Sequence, residues 1–399
     1  MKNDYIIEYK LRNNKRLFYA PAYNKFWINN LKEELTVEYY NEELTDLRIE
    51  ITYACNGYCK YCIVYGNKIE KIESLNLREV WNDIKDKDWF KKVKTIFLIG
   101  GEPLLFFNQI EYLLDDFKGE VRISTNGTLI TKYIARKMAE HNVLVYLSLD
   151  GPEFDDNVMR IFKDGRYMYK DIIYGLNNLI EANVKYGLFT VATKENVKNV
   201  VEVMKKFTEK YHPYRIGYSL PHWTQNNDYE ISAVEYRNAL SDLFDYRKDL
   251  DTEIMQLKWR IKPLWDGKVK KFACSMHTSQ RTILADNSCV RCSKIDHDHV
   301  YKMLPNEYFS SNCPVSLALN GGNPCSECVA LACCGGGCPY DGLKRFGGVV
   351  DRRECVITPV IVNKAIQEIV KKVNEDIESV KDGIVPLEFI KRVVSKTNS

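Results

Sequence analysis

The sequence predicts an α/β protein: a partial barrel of six strand–helix units, (β/α)6, with a small cysteine-rich C-terminal domain and a short N-terminal β-hairpin. Three observations predict it. Strand and helix periodicities alternate through roughly 47–250, and repeated βα units build a parallel sheet with helices outside it. The 13 cysteines fall into two groups, three at Cys55, Cys59 and Cys62 and ten from Cys274 to Cys355. The length of 399 residues suits one large domain with a small one attached. An open doubly wound sheet is the alternative for the same alternation.

The elements follow in order. Tyr5–Tyr9 and Leu17–Tyr19 flank Arg12-Asn13-Asn14-Lys15, the pattern of a hairpin within residues 1–46. Leu47, Ile49 and Ile51 alternate with polar residues and form a strand running into Cys55. Asn76 with Glu79 starts a helix carrying Leu77, Val80, Trp81 and Ile84 on one face. Further strands are expected at Val93–Ile99, Val121–Thr125, Val143–Leu149, Leu188–Ala192 and Arg215–Leu220, with helices at Thr131–His141 and near Asp171–Asn183. Ser232 and Glu235 cap the next helix. The barrel is placed at 47–250 and the cysteine-rich domain with its linker at 251–360. Thr358-Pro359 signals a helix start, so Ile361, Ala365, Ile369 and Val373 line a helix over 359–380 within the last segment, 361–399. The tail from Ser395 is expected to fray.

Composition narrows the function classes. A net charge of +3 argues against a nucleic-acid binder. No apolar run is long enough to span a membrane, and Met1-Lys2-Asn3-Asp4 lacks the apolar core of a signal peptide. A cytoplasmic location is therefore expected, where thiols stay reduced, so clustered cysteines point to metal rather than disulfides.

Cys55-x3-Cys59-x2-Cys62 follows the first barrel strand, at the end where barrel active sites gather. Three thiolates on one loop can hold three irons of a [4Fe–4S] cubane and leave the fourth iron open. Zinc is the competing reading, but it wants four ligands and no histidine stands nearby in sequence. Gly100-Gly101-Glu102-Pro103 ends the second strand, Ser124-Thr125-Asn126-Gly127 the third, and Ser148-Leu149-Asp150-Gly151-Pro152 the fourth, with Arg160 downstream. Each is also ordinary turn chemistry.

Taken together, these segments resemble the radical S-adenosylmethionine (SAM) superfamily over about 47–235. The resemblance implies a TIM-like partial barrel whose Cys55, Cys59 and Cys62 hold a [4Fe–4S] cluster. Tyr61 occupies the family's aromatic position between the last two cysteines. Gly100, Gly101, Glu102 and Pro103 match the segment that binds the SAM amino group. Ser148 and Arg160, twelve apart, match contacts to the ribose and carboxylate of SAM. Ser124, Asn126 and Asp150 are implied as further SAM or substrate contacts.

The second group, Cys325-x2-Cys328-x5-Cys334-x3-Cys338 followed by Cys355, with Cys274, Asn287 and Cys292 upstream, resembles the SPASM extension of such enzymes. Asn287 stands where that family has Gly, and Asn tolerates the left-handed backbone such a turn needs. The competing reading is a pair of zinc knuckles, since Cys289-x2-Cys292 and Cys325-x2-Cys328 also fit zinc. The resemblance implies that Cys325, Cys328, Cys334 and Cys355 hold one auxiliary cluster and Cys274, Cys292 and Cys338 another. The latter is one ligand short. Either Cys289 completes it or one iron is open; Cys313 and Cys333 are expected to be buried thiols.

The resemblance implies an enzyme using SAM and three [4Fe–4S] clusters. A flavodoxin- or ferredoxin-type donor would reduce the first cluster, SAM would be cleaved to a 5′-deoxyadenosyl radical, and the radical would take hydrogen from a ribosomally made precursor peptide. A crosslink, a Cys thioether, is the expected product. The runner-up is an anaerobic sulfatase-maturating enzyme making formylglycine. Against it stand Ser293 in place of an Asp after Cys292, and Ile99 in place of a Gln before Gly100; neither can do the same acid–base work. An iron–sulfur electron carrier is the alternative of another class. Trp223, Tyr229, Tyr236, Trp259 and Trp265 are candidates for a peptide groove, or for packing at a domain junction.

Overall fold

The computed structural model describes residues 5–31, 33–40, 43–66, 74–225, 227–277, 279–296, 311–320 and 324–395. Two sheets organise it. The first holds β1 (Ile7–Lys10), β2 (Arg16–Ala20), β3 (Lys25–Ile28) and β13 (Gly383–Ile384) in that order. The hairpin expected at the N-terminus is therefore half of a four-stranded antiparallel sheet. Asn13 and Asn14 both take left-handed φ at its turn, which suits a two-residue hairpin connection. The added strands escaped the sequence pattern because Lys25–Ile28 and Gly383–Ile384 are too short to show a period.

The second sheet carries β4 (Asp46–Glu50), β5 (Thr95–Ile99), β6 (Glu120–Thr125), β7 (Leu144–Ser148), β8 (Tyr186–Val191) and β9 (Arg215–Ser219), side by side in chain order and parallel. These are the six strands the periodicity predicts. The sheet continues with β10 (Glu253–Ile254) beyond β9 and with β11 (Gln280–Ile283) and β12 (Cys289–Val290) beyond β4. β11 runs parallel to β4, so the cysteine-rich region is welded to the barrel edge through the registered pairs Gln280–Asp46 to Ile283–Ile49. The two ends of the sheet, β10 and β12, do not meet: the barrel is partial.

One face of the sheet is apolar and fully buried, with Leu47, Ile49, Ile96, Leu98, Ile123, Val145, Leu147, Leu188 and Ile216 forming one core with the outer helices. Alternation puts Phe97, Ser124, Tyr146, Ser148, Phe189 and Ser219 on the other, concave face. Toward its closed end that face is filled by aromatics: Tyr146 lies 5.2 Å from Phe97 and 4.5 Å from Phe189. The smaller side chains Ser124 and Ser148 then stand at the C-terminal ends of β6 and β7.

The helices start where the caps predict. The Asn76 side chain accepts from the Glu79 N–H, Thr131 from that of Ile134, and Ser232 with Glu235 forms a full capping box. One boundary is corrected. The long C-terminal helix runs Arg353–Glu375, starting before Pro359 rather than at it. Pro359 lies inside the helix, where it removes the backbone donor to the carbonyl of Cys355 and its ring crowds that carbonyl. Its apolar stripe, Ile361, Ala365, Ile369 and Val373, is buried as expected. The tail expected to fray beyond Ser395 lies outside the described residues. No helix among those described is long and apolar enough to cross a membrane.

Candidate active site

The loop after β4 carries Cys55, Cys59 and Cys62, and the rest of the barrel mouth holds it in shape. It runs antiparallel beside the segment after β7: Tyr58 N–H donates to Ile161 O (2.7 Å) and Lys60 N–H to Met159 O (3.0 Å). The Cys55 sulfur accepts from the Gly57 N–H at 3.3 Å, and Asn126 Nδ2 lies 3.8 Å away. Burial pushes the Cys59 thiol up to about 12, with Arg160 opposing and Cys62, Asp150 and Cys55 adding to the rise. Burial likewise pushes Cys55 up to about 11. Three half-buried thiols on one loop favour ionisation only when a cation joins them.

Gly100 and Gly101 leave β5 and cross directly over the base of that loop. Gly101 N–H donates to Thr52 O (2.7 Å) and Glu102 N–H to Ala54 O (2.9 Å). A Cβ on Gly100 would stand 2.3 Å from Thr52 O, and one on Gly101 2.2 Å from Ala54 O. Both positions are glycine because two backbones touch there. Glu102 is fully buried and faces inward. Its carboxylate accepts from Leu104 N–H (3.0 Å), Thr125 Oγ1 (2.7 Å) and Asn126 N–H (2.8 Å). Burial still raises it to about 7 against those three donors. The negative charge expected to face the SAM ammonium is thus engaged by this chain's own groups, tying the ends of β5 and β6 together. Pro103 opens the short helical turn that follows.

Asp150, after β7, accepts from Arg160 Nη2 (2.9 Å), from Val191 N–H (3.0 Å) and from the Tyr61 hydroxyl. The Arg160 guanidinium also lies 5.4 Å from the Tyr61 ring centroid. Four residues singled out in the sequence therefore converge: Tyr61 from the cysteine loop, Asp150, Arg160, and Cys59 in their field. Arg160 is 4% exposed, and its Nε is a buried donor with no partner. A buried guanidinium with an unused N–H is half of an anion site, the kind a carboxylate completes. Asn126 Nδ2 donates to Asn56 Oδ1 at 2.9 Å and so ties the β6 end to the cysteine loop.

In the second cysteine group burial raises Cys334, with Glu354, Cys328 and Cys355 adding to it. Burial raises Cys325 to about 11, with Cys355 and Cys328 contributing. Cys274, Cys292 and Cys338 pack together around Met276, Ile295, Tyr340 and Leu343, and each of Cys292 and Cys338 feels Cys274. Cys289 is exposed on β12; burial raises its thiol and Arg281 opposes the rise. Cys313 and Cys333 are buried. Asn287 has φ of 66°, the left-handed turn its glycine-like position requires. Of the aromatics, Tyr229 and Tyr236 are buried packing residues while Trp259 is half exposed.

One group was not singled out from sequence: His222, Asp341 and Lys294. His222 Nδ1 lies 2.7 Å from Asp341 Oδ2, and Lys294 Nζ lies 2.7 Å from His222 Nε2. The only sequence signal is position: His222 follows β9 at the functional end of the barrel, and Lys294 and Asp341 stand two and three residues after cysteines.

The Radical SAM superfamily profile matches residues 49–207, the stretch just described from β4 to the helix before β9. These residues form a radical SAM domain. Binding of SAM and one [4Fe–4S] cluster is the property of that family, and the three thiols with the open Arg160 donor fit it. The sequence is 26% identical over 230 residues to the radical SAM cyclopropyl synthase TigE of Paramaledivibacter caminithermalis, covering 52% of this chain and 48% of that protein. It is 31% identical over 166 residues to an uncharacterized protein of Methanocaldococcus jannaschii, covering 40% and 57%. The chain thus spans about half the length of these curated relatives. A cysteine-type anaerobic sulfatase-maturating enzyme of Clostridium novyi is 24% identical over 320 residues, covering 71% of this chain and 84% of that one.

Solved structures share the fold. The anaerobic sulfatase-maturating enzyme anSMEcpe with bound AdoMet superposes with a TM-score of 0.64 at 19% identity, covering 84% of this chain and 100% of that one. SuiB of Streptococcus suis bound to precursor peptide SuiA gives 0.57 at 17% identity, covering 79% and 76%.

Proposed function

We propose that the protein is a radical SAM peptide maturase that removes hydrogen from a ribosomally made precursor peptide and crosslinks it, with a Cys thioether as product. The observation that carries the reading is the grouping of the cysteines: three on the barrel-mouth loop in the field of Arg160, and ten along 274–355, where the resemblance implies two further clusters. When bound, SAM and its cluster supply a 5′-deoxyadenosyl radical. The chain's residues do the rest. Cys55, Cys59 and Cys62 hold the first cluster, Arg160 fixes the SAM carboxylate, and Asp150 with Tyr61 keeps the guanidinium in place. Ser124 and Ser148 stand on the concave face above an aromatic floor that excludes water. Cys325, Cys328, Cys334 and Cys355 would hold a second cluster, and Cys274, Cys292 and Cys338 a third, and these would supply an acceptor for the electron released from the substrate. A flavodoxin- or ferredoxin-type partner would be the donor for the first cluster. A precursor peptide bound to SuiB, on the same fold, is the support for a peptide substrate.

A second reading, a sulfatase-maturating enzyme, is favoured by the extent of the match to such enzymes and disfavoured by Ser293 and Ile99. The two separate by product. Anaerobically reconstituted protein is incubated with SAM, reductant and cysteine-containing peptides, including the small peptides encoded beside its gene and a sulfatase-derived one. A peptide that loses hydrogen and no other atom supports the crosslinking reading. Replacement of the cysteine sulfur by oxygen supports the second and overturns the first.

Arg160→Ala tests the SAM site separately. Loss of one charged hydrogen-bonding partner costs about 1.5–3 kcal/mol, so SAM affinity should fall roughly ten- to a hundredfold. Iron content should be unchanged. Unaltered SAM affinity in a titration would remove Arg160 from the site.

A further inference from the structure

Of the three thiols Cys274, Cys292 and Cys338, the last has a histidine beside it. The ligand atoms of His222, Cys338 and Asp341 all lie within 4.8 Å of one another. Asp341 is buried. The Lys294 ammonium, 2.7 Å from His222 Nε2, can only donate, so the ring proton sits on Nδ1, 2.7 Å from the accepting Asp341 Oδ2. That fixes the tautomer and leaves a lone pair on Nε2. Trp223 N–H donates to the other Asp341 oxygen at 2.7 Å, which locks the carboxylate's orientation. A histidine whose second nitrogen donates to a carboxylate is the usual arrangement of a metal-ligating imidazole.

A cation already marks the place the donors point to. The Lys294 ammonium lies 2.7 Å from His222 Nε2, and Lys294 follows Cys292 by two residues. One positive group thus satisfies the lone pair of the imidazole that lies beside Cys338. Cys289, the other candidate, is exposed on β12.

We infer that His222 is the fourth protein ligand of the cluster held by Cys274, Cys292 and Cys338, binding iron through Nε2 while Asp341 keeps the Nδ1 proton. Lys294 keeps its protons and moves off Nε2 as iron arrives, so no electron or proton changes owner in the exchange. The ligand comes from the loop after β9, so the cluster pins the C-terminal domain to the functional end of the barrel. Imidazole in place of thiolate also removes one negative charge, which raises a cluster's reduction potential. The site then becomes a better acceptor for an electron released in the barrel. The inference rests on the proposal that these three cysteines are cluster ligands.

The test uses the full chain carrying Cys55→Ala, Cys59→Ala and Cys62→Ala, reconstituted anaerobically with iron and sulfide, so that only the auxiliary sites load. About eight irons are expected, two cubanes' worth. Electron–nuclear double resonance of the reduced protein should show a nitrogen strongly coupled to one cluster, and the coupling should change when the histidines are isotopically labelled. That comparison needs no substitution at the site. His222→Cys should keep the iron, abolish the nitrogen coupling and lower one reduction potential; Cys289→Ala should change neither iron nor coupling. About eight irons without a histidine-sensitive coupling would overturn the inference and leave the cluster reading standing. Loss of a cluster in Cys289→Ala would do the same. Zinc in place of iron would overturn both.

Discussion

Replacing Cys55, Cys59 and Cys62 together by Ala is expected to bring 5′-deoxyadenosine formation to background and to remove about four irons, one cubane's worth. The effect should be complete because the three thiols converge on a single loop and no other described thiol lies in their field. The auxiliary sites should load normally, since their cysteines lie in 274–355, on segments other than the barrel-mouth loop. The fold should survive. The loop is held by backbone bonds to 159–163 and by Asn126, none of which uses a sulfur–metal bond. The metal-free variant should therefore unfold within a few degrees of the metal-free parent. Iron analysis, product chromatography and a thermal melt check the three parts. Residual deoxyadenosine above background would mean that the active cluster lies elsewhere.

How much of this was legible in the sequence differs by element. The six barrel strands were, because each is a short alternating or continuously apolar run separated from the next by a helical stretch. The cysteine groups were, because ligands on one loop must be close in sequence. Short strands were not. Gln280–Ile283 pairs with β4 only because the C-terminal domain docks there, and four residues carry no period that points to a partner more than two hundred positions away. The capping of the long helix misled for a local reason: Pro359 is a start signal, yet the helix begins six residues earlier at Arg353. Within the site, residue identity was legible and role was less so. Glu102 and Asp150 stood out as acidic groups at strand ends. In the structure both carboxylates are occupied by donors of this chain, and they place other groups. His222 had no motif at all, because its partners, Asp341 and Lys294, are 119 and 72 residues distant.

Gly101→Ala is expected to be nearly as damaging as loss of the cysteines, although Gly101 carries no chemistry. Its backbone φ is not in the left-handed region, so alanine could adopt the conformation. Space is what it lacks. The new Cβ would stand 2.2 Å from Ala54 O, 2.7 Å from Ala54 C and 2.7 Å from Tyr53 O. All three are backbone atoms of the segment leading into Cys55, so no rotamer change can relieve the contact. The β5 end and the cysteine loop must part, breaking the bonds from Gly101 N–H to Thr52 O and from Glu102 N–H to Ala54 O. Overpacking of this kind costs about 1–3 kcal/mol, and the displacement falls directly on the first cluster ligand. The variant should fold less stably, hold about four fewer irons than the parent, and make little deoxyadenosine. Gly348→Ala is the control: a Cβ there meets nothing within 4 Å, so iron content, melting temperature and turnover should all stay at parental values. If Gly101→Ala behaves like Gly348→Ala, the contact between the β5 end and the cysteine loop does not shape the cluster site.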